Sequence, residues 1–226
     1  MQIWIQILIF ANKMMKKIKN IILDYGDVVF MIDFLRMESA FSDLGIKNVR
    51  QYYGHRAQTK LFDDFEQGKI PAKAFREGIR EISGLLSLSD AEIDAAWNAM
   101  LIGVAEGSHE LLLKLKDKYR LFLLSNNNEI HYQWIMDHLK NKFGLADNTI
   151  FFEKDYYSHL MGMRKPNSDI FEFVLNAHDL VPAETIFIDD SPQHLNTAKG
   201  LGLQTYLLTK PDTLRELIYR EGLLEN

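Results

Sequence analysis

Apolar and polar positions change rhythm twice along this 226-residue chain. The first clear block is Ile21-Ile22-Leu23, an apolar run without alternation, as expected of a central parallel strand covered on both faces. It runs directly into Asp24-Tyr25-Gly26. After Asp27 the pattern turns helical and stays so for roughly seventy residues. Leu61 to Gln67 reads as a helix ended by Gly68, and Pro71 suits the first turn of the next, with Phe75, Ile79 and Ile82 on one face. Ser89-Asp90-Ala91-Glu92 has the form of a capping box ahead of the stripe Ile93, Trp97 and Met100. Such stripes are core positions, so residues 32–103 are expected to form a small helical bundle inserted after the first strand.

From about residue 107 the rhythm becomes strand–helix–strand. Leu111, Leu112 and Leu115 mark a helix, and Arg120 to Leu124 a buried strand ending in Ser125-Asn126. A helix over Ile130 to Leu139, a short strand at Ile150-Phe151-Phe152, and a helix from Pro166 with Ile170, Phe171, Val174 and Leu175 inward come next. Thr185 to Ile188 is a further strand, terminated by Asp189-Asp190; Pro192 opens a helix, Gln204 to Leu208 is a strand, and a last helix runs from Pro211. Strands alternating with helices predict an α/β fold, a right-handed doubly wound parallel sheet. The expected division is a core over 18–31 and 104–226, a helical cap over 32–103, and a leader or extra edge segment over 1–17. Ile3 to Phe10 is apolar but too short to span a bilayer, and it lacks the flanks of a signal peptide.

Composition narrows the function classes. A net charge of −5 without a basic patch argues against a nucleic-acid surface. The absence of cysteine removes disulfides and thiol nucleophiles and fits a cytoplasmic protein. The seven histidines form no metal-ligand spacing, although His159, ahead of Lys165, could face a site.

The candidate chemistry sits at strand ends, where a parallel sheet places its ligands. Asp24, Ser125-Asn126 and Asp189-Asp190 each follow a strand, and Lys165 stands at a helix entrance. Adjacent carboxylates repel by about 4 kcal/mol per close pair at intermediate dielectric, a repulsion that a divalent cation with a taste for hard oxygen turns into binding. Asp24 is therefore read as a nucleophile toward phosphorus. Asp24, Asp190, Asp189 and the Gly26 carbonyl are the candidate Mg²⁺ ligands, and Ser125, the Asn126 N–H and Lys165 the holders of the phosphate oxygens.

In their order, ILDYG, LLSNN, GMRKP and FIDDS resemble the four motifs of the haloacid dehalogenase-like (HAD) hydrolase superfamily, over about residues 18 to 210. Gly26-Asp27-Val28, the cap phrase Phe65-Glu66-Gln67-Gly68-Lys69-Ile70 and Gly162 to Pro166 are similar to its bacterial α-glucose-1-phosphate phosphatase group. The resemblance implies a Rossmann-like core and Mg²⁺-dependent hydrolysis of a small phosphate ester, through an aspartyl phosphate, by a monomer or homodimer that engages neither nucleic acid nor membrane. One rival is a metal-independent 2-haloacid dehalogenase, disfavoured because those members carry an aromatic residue where Gly26 stands and because Asp189-Asp190 would lack a cation. Another is a phosphate-binding protein weakened in turnover.

Most phosphatases of the superfamily carry a second Asp, as acid and base, at the position of Gly26. Such help is typically worth about 10²–10⁴-fold in rate. Asp27, one position on, points elsewhere along the chain, while Asp63 and Glu66 are expected on a solvated helix face that could still supply a proton. Turnover is thus expected to follow leaving-group acidity. Rates across aryl and alkyl phosphates of graded leaving-group pKa should form a steep series, and a flat one would contradict the reading.

Overall fold

The computed structural model describes residues 17–47, 49–53 and 59–225, so the segment read as a leader lies, but for Lys17, outside the described residues. The strands in chain order are β1 (Asn20–Leu23), β2 (Phe30–Ile32), β3 (Leu101–Val104), β4 (Arg120–Ser125), β5 (Lys154–Tyr157), β6 (Thr185–Asp189) and β7 (Gln204–Leu207). The helices are α1 (Phe34–Asp43), α2 (Lys60–Glu66), α3 (Ala72–Ser83), α4 (Asp90–Asn98), α5 (Ser108–Lys116), α6 (Glu129–Phe143), α7 (Ser158–Met161), α8 (Ser168–Ala177), α9 (Pro192–Gly200) and α10 (Leu214–Arg220). The main sheet has the order β5-β4-β1-β6-β7, and all its pairings are parallel.

The unalternating run of β1 has the cause its pattern implies. Ile21 and Leu23 face one core, with Leu121, Leu123, Ile186 and Ile188 from the neighbouring strands. Ile22 faces the other, with Phe122, Leu124, Phe187 and the inward stripe of α8, Ile170, Phe171 and Val174. Each such side chain contributes about 1.5–3 kcal/mol by leaving water. In register, Leu23 pairs with Leu123 on one side and Ile188 on the other. One step further Asp24 therefore stands level with Asp189, and the Asp24 N–H donates to the Ile188 carbonyl at 2.9 Å.

Helices α1 to α4 lie between β2 and β3, which pair antiparallel as a small second sheet. Their interior is aromatic: Phe65 stacks on Phe75 at 4.2 Å, and Trp97 meets Tyr53, Phe62 and Phe75 at 4.7 to 5.4 Å. The capping box of Ser89 and Glu92 starts α4 as expected. The helical pattern does not begin at Asp27, however. Val28 and Val29 are buried, and Phe30–Ile32 is a strand that hands the chain outward and returns it through Leu101–Val104, too short a ribbon to show a period of its own. Ile82 is exposed rather than packed with Phe75 and Ile79.

The strand expected at Ile150 to Phe152 is also displaced. Asp147 caps a turn through Thr149, the Asn148 carbonyl takes the N–H groups of Phe151 and Phe152, and both rings plug the core. The ladder begins only at Glu153, whose N–H reaches Leu121, and β5 itself is the polar run Lys154–Tyr157. An edge strand needs less apolar surface than a central one, so periodicity favoured the wrong segment.

Helix α2 ends against the main sheet's loops. Gly68 has φ 64°, and a Cβ there would lie 2.0 Å from the His159 carbonyl oxygen. The Ser158 hydroxyl donates to the Glu66 carbonyl at 2.6 Å, and the Ala72 N–H donates to Glu129 at 2.8 Å. Gly68→Ala therefore strains the backbone and collides with the facing loop. In a denaturant titration Gly84→Ala, also at positive φ but in open space, should show the backbone part alone, about 1–3 kcal/mol, and Gly68→Ala should cost more than that.

Candidate active site

The C-terminal ends of β1, β4 and β6 converge, and Lys165 enters the gap between them. Its side chain is completely buried, yet the ammonium lies 2.7 Å from Asp24 Oδ1 and 2.7 Å from Asp189 Oδ2. Burial alone would push the Lys165 pKa down, but Asp189 and Asp24 outweigh it and hold the group charged. The position of this lysine is set by Asn126. Its side-chain amide donates to the Lys165 carbonyl, and its oxygen accepts from the Lys165 N–H, both at 2.9 Å. The loop after β4 and the loop before α8 are thereby fastened to each other.

The two carboxylates on that ammonium are not equivalent. Asp189 also accepts from the Ser191 N–H at 2.7 Å and faces His194 Nδ1 at 2.9 Å. Burial would raise its pKa, but Lys165 and His194 prevail and bring it down to about 2. Asp24 is pushed up to about 6 by burial, which Lys165 offsets only in part while Asp189 adds to it. The contacts of Asp24 with Lys165 and with the Tyr25 N–H both fall on Oδ1, so Oδ2 accepts no protein donor among the described residues.

Asp190 is the group left over. It lines a cavity of about 100 Å³ with Asp24, Gly26, Asn126, Arg164 and His194. No ion pair reaches it among the described residues, and burial, Asp24 and Asp189 together push its pKa up to about 8. Hard oxygen donors that repel one another and share one cavity wall suit a divalent cation such as Mg²⁺. Asp24 and Asp190 fit that description. Asp189, expected beside them, has both oxygens taken by Lys165, Ser191 and His194. One nitrogen of His194 and oxygens of Asp24 and Asp189 do lie within 4.8 Å of one another, but the Lys165 ammonium already stands between those two carboxylates. The contacts of Asp189 are those of an anchor for the lysine.

Ser125 is buried and lines an adjoining cavity of about 70 Å³, which shares Gly26, Ile32, Tyr53, Glu66 and Asn126 with the first. Asp27 turns away: its carboxylate accepts from the Ile32 N–H and pairs with Lys210. His159 lies against Tyr132 and Tyr157 and lines neither cavity. Four polar residues in the wall were not read from the sequence as site residues: Tyr53, Arg164, Ser191 and His194. Glu66 was placed on a solvated face and is instead buried in the wall, 3.0 Å from Arg164. Only the neighbourhood of Arg164 to Lys165 hinted at this; the spacing of Glu66 on α2 did not.

A doubly wound sheet with a carboxylate, a lysine and a carboxylate pair converging on one rim defines a class of hydrolase, and comparison with known proteins agrees. The family model for haloacid dehalogenase-like hydrolases matches residues 18–202, and the chain belongs to that family of hydrolases. D-ribitol-5-phosphate phosphatase of Bacteroides thetaiotaomicron is 31% identical to it over 189 residues, 84% of this chain and 91% of that protein. A HAD-family enzyme of Bacteroides thetaiotaomicron, solved with magnesium and inorganic phosphate, matches with a TM-score of 0.81 at 36% identity, over 89% of this chain and 98% of that one. A HAD-like family hydrolase from Porphyromonas gingivalis matches with a TM-score of 0.83 at 29% identity, over 93% and 100%. No helix among the described residues is long and apolar enough to cross a membrane.

The raised Asp190 pKa has a stability consequence in metal-free protein. Its folded value lies above the ordinary 3.8, so its contribution is intact below about pH 4 and is lost as the pH climbs toward 8. In EDTA, Asp190→Asn should raise stability by about 1–3 kcal/mol at pH 8 and change it little at pH 4. Thermal melts of both proteins at the two pH values check this.

Proposed function

We propose that the protein is a Mg²⁺-dependent phosphatase of a small sugar or polyol phosphate, working through an aspartyl phosphate on Asp24. The observation that carries this reading is the charge pattern of one rim. A single buried ammonium serves Asp24 and Asp189, while Asp190 stands uncompensated on the same cavity. The named relatives, a ribitol phosphate phosphatase and an enzyme solved with magnesium and phosphate, support it.

In this mechanism Asp24 Oδ2 attacks phosphorus, and the bond from phosphorus to the ester oxygen breaks. The departing alkoxide takes a proton from water, because Gly26 offers none. Water then attacks the acyl phosphate, the P–Oδ2 bond breaks, and the Asp24 carboxylate and inorganic phosphate result. Lys165 holds Asp24 Oδ1 in place and balances charge on the phosphoryl oxygens, helped by Ser125 and the Asn126 N–H. Asp189 positions Lys165. Asp24, Asp190 and the Gly26 carbonyl are the residues to hold Mg²⁺, whose chemistry is to neutralise the phosphate dianion beside two carboxylates. Residues 32–103 serve as a cap that keeps bulk water out while the phosphoryl group passes to Asp24.

The test is phosphate release from ribitol 5-phosphate, glucose 1-phosphate and p-nitrophenyl phosphate. Wild type with Mg²⁺ should turn over at least one, EDTA should abolish this and Mg²⁺ restore it, and Asp24→Asn should lose about 10³-fold or more. Activity that survives EDTA, or chloride release from a 2-haloacid, would overturn the proposal.

A further inference from the structure

The cavity that Asp24 lines also carries an ion pair that the chemistry above does not use. Glu66, near the end of α2, and Arg164, the residue before Lys165, meet at 3.0 Å, and both line the 100 Å³ cavity. Glu66 is only 4% exposed, and its other oxygen takes the Tyr53 hydroxyl at 3.1 Å. Arg164 is held a second time by Asp63, one turn back on α2. Next to the pair the wall is apolar, formed by Ile32, Phe34 and the Tyr53 ring, with the two rings 6.0 Å apart and tilted by 39°.

A buried ion pair contributes little to stability, because desolvation of both charges consumes most of their attraction. Its placement on a cavity wall gives it another use. A carboxylate and a phenol oxygen that accept, a guanidinium that donates, and an aromatic face for C–H edges together match a neutral alcohol carrying several hydroxyls. An anionic leaving group would meet Glu66, and a leaving group without hydroxyls would gain nothing from either charge. We propose that Glu66 and Arg164, with Tyr53, form the subsite that selects a polyhydroxylated leaving group. This rests on the phosphatase reading above and adds to it the residues that choose the substrate. Since Glu66 comes from the helical segment and Arg164 from the loop of Lys165, the subsite is complete only when the two are in contact. Substrate selection and cap closure then become one event.

The experiment compares Glu66→Gln with wild type on ribitol 5-phosphate and on p-nitrophenyl phosphate, whose leaving group has no such hydroxyls. Because Glu66→Gln leaves Arg164 with one carboxylate fewer, the double variant Glu66→Leu with Arg164→Met, which removes both charges together, is measured beside it. In both variants kcat/KM for ribitol 5-phosphate should fall at least about tenfold further than for p-nitrophenyl phosphate, chiefly through KM. An equal fall on the two esters would make the pair scaffolding and overturn the inference while leaving the phosphatase reading intact. No Mg²⁺-dependent phosphate release by wild type from either ester would remove the parent reading, and the subsite with it.

Discussion

The placement of one ammonium inside the sheet's rim governs the rest of this structure. An isolated buried charge costs several kcal/mol, and Lys165 bears that cost only because two carboxylates lie 2.7 Å from it. Those carboxylates stand level because β1 and β6 pair in parallel register, and the lysine reaches them because Asn126 grips its backbone from the end of β4. Sheet register, loop clasp and charge balance are thus a single constraint. Removing Lys165 would leave two buried carboxylates without their shared counter-charge.

The same arrangement sorts three chemically identical carboxylates. Asp189, saturated by donors, is held well below the usual range; Asp24 sits above it, and Asp190 furthest above. Position relative to Lys165 accounts for the order. The anchor is the most paired, the residue proposed as nucleophile keeps one oxygen without a protein donor, and the leftover group has the strongest demand for an external cation. A surplus of negative charge here costs the metal-free fold stability, as binding sites commonly do.

The helical segment is joined to this rim by contacts rather than by a hinge alone. Trp97 stacks on His131 at 4.6 Å and donates to Asn128, a short way past Ser125 and Asn126. The Ser158 hydroxyl links the Glu66 carbonyl to the loop of Asn127, and Gly68 permits the approach. Burial keeps His131 neutral, its pKa down at about 4, so packing and neutral hydrogen bonds hold this part of the seam, while Arg164 with Glu66 and Asp63, and Glu129 on the Ala72 N–H, supply its charged contacts.

Much of this was legible in the linear chain. Buried strands announce themselves by unalternating apolar runs, and strand-end polar residues fall where a parallel sheet gathers them, so Asp24, Asn126, Lys165 and Asp190 could be named before any coordinates. Edge and ribbon strands could not: β5 is polar and β2 is three residues long, and neither carries a period. Nor could sequence separate Asp189 from Asp190, because adjacent residues of a strand end point to opposite sides and only the third dimension says which side holds the lysine. The reversal of Glu66 from solvated face to cavity wall has the same origin. Local pattern determines which residues form an element and which of its faces is apolar, whereas the charge that meets a polar residue comes from a distant part of the chain, here from Arg164, 98 positions away by their numbers. Tertiary packing alone decides such pairings.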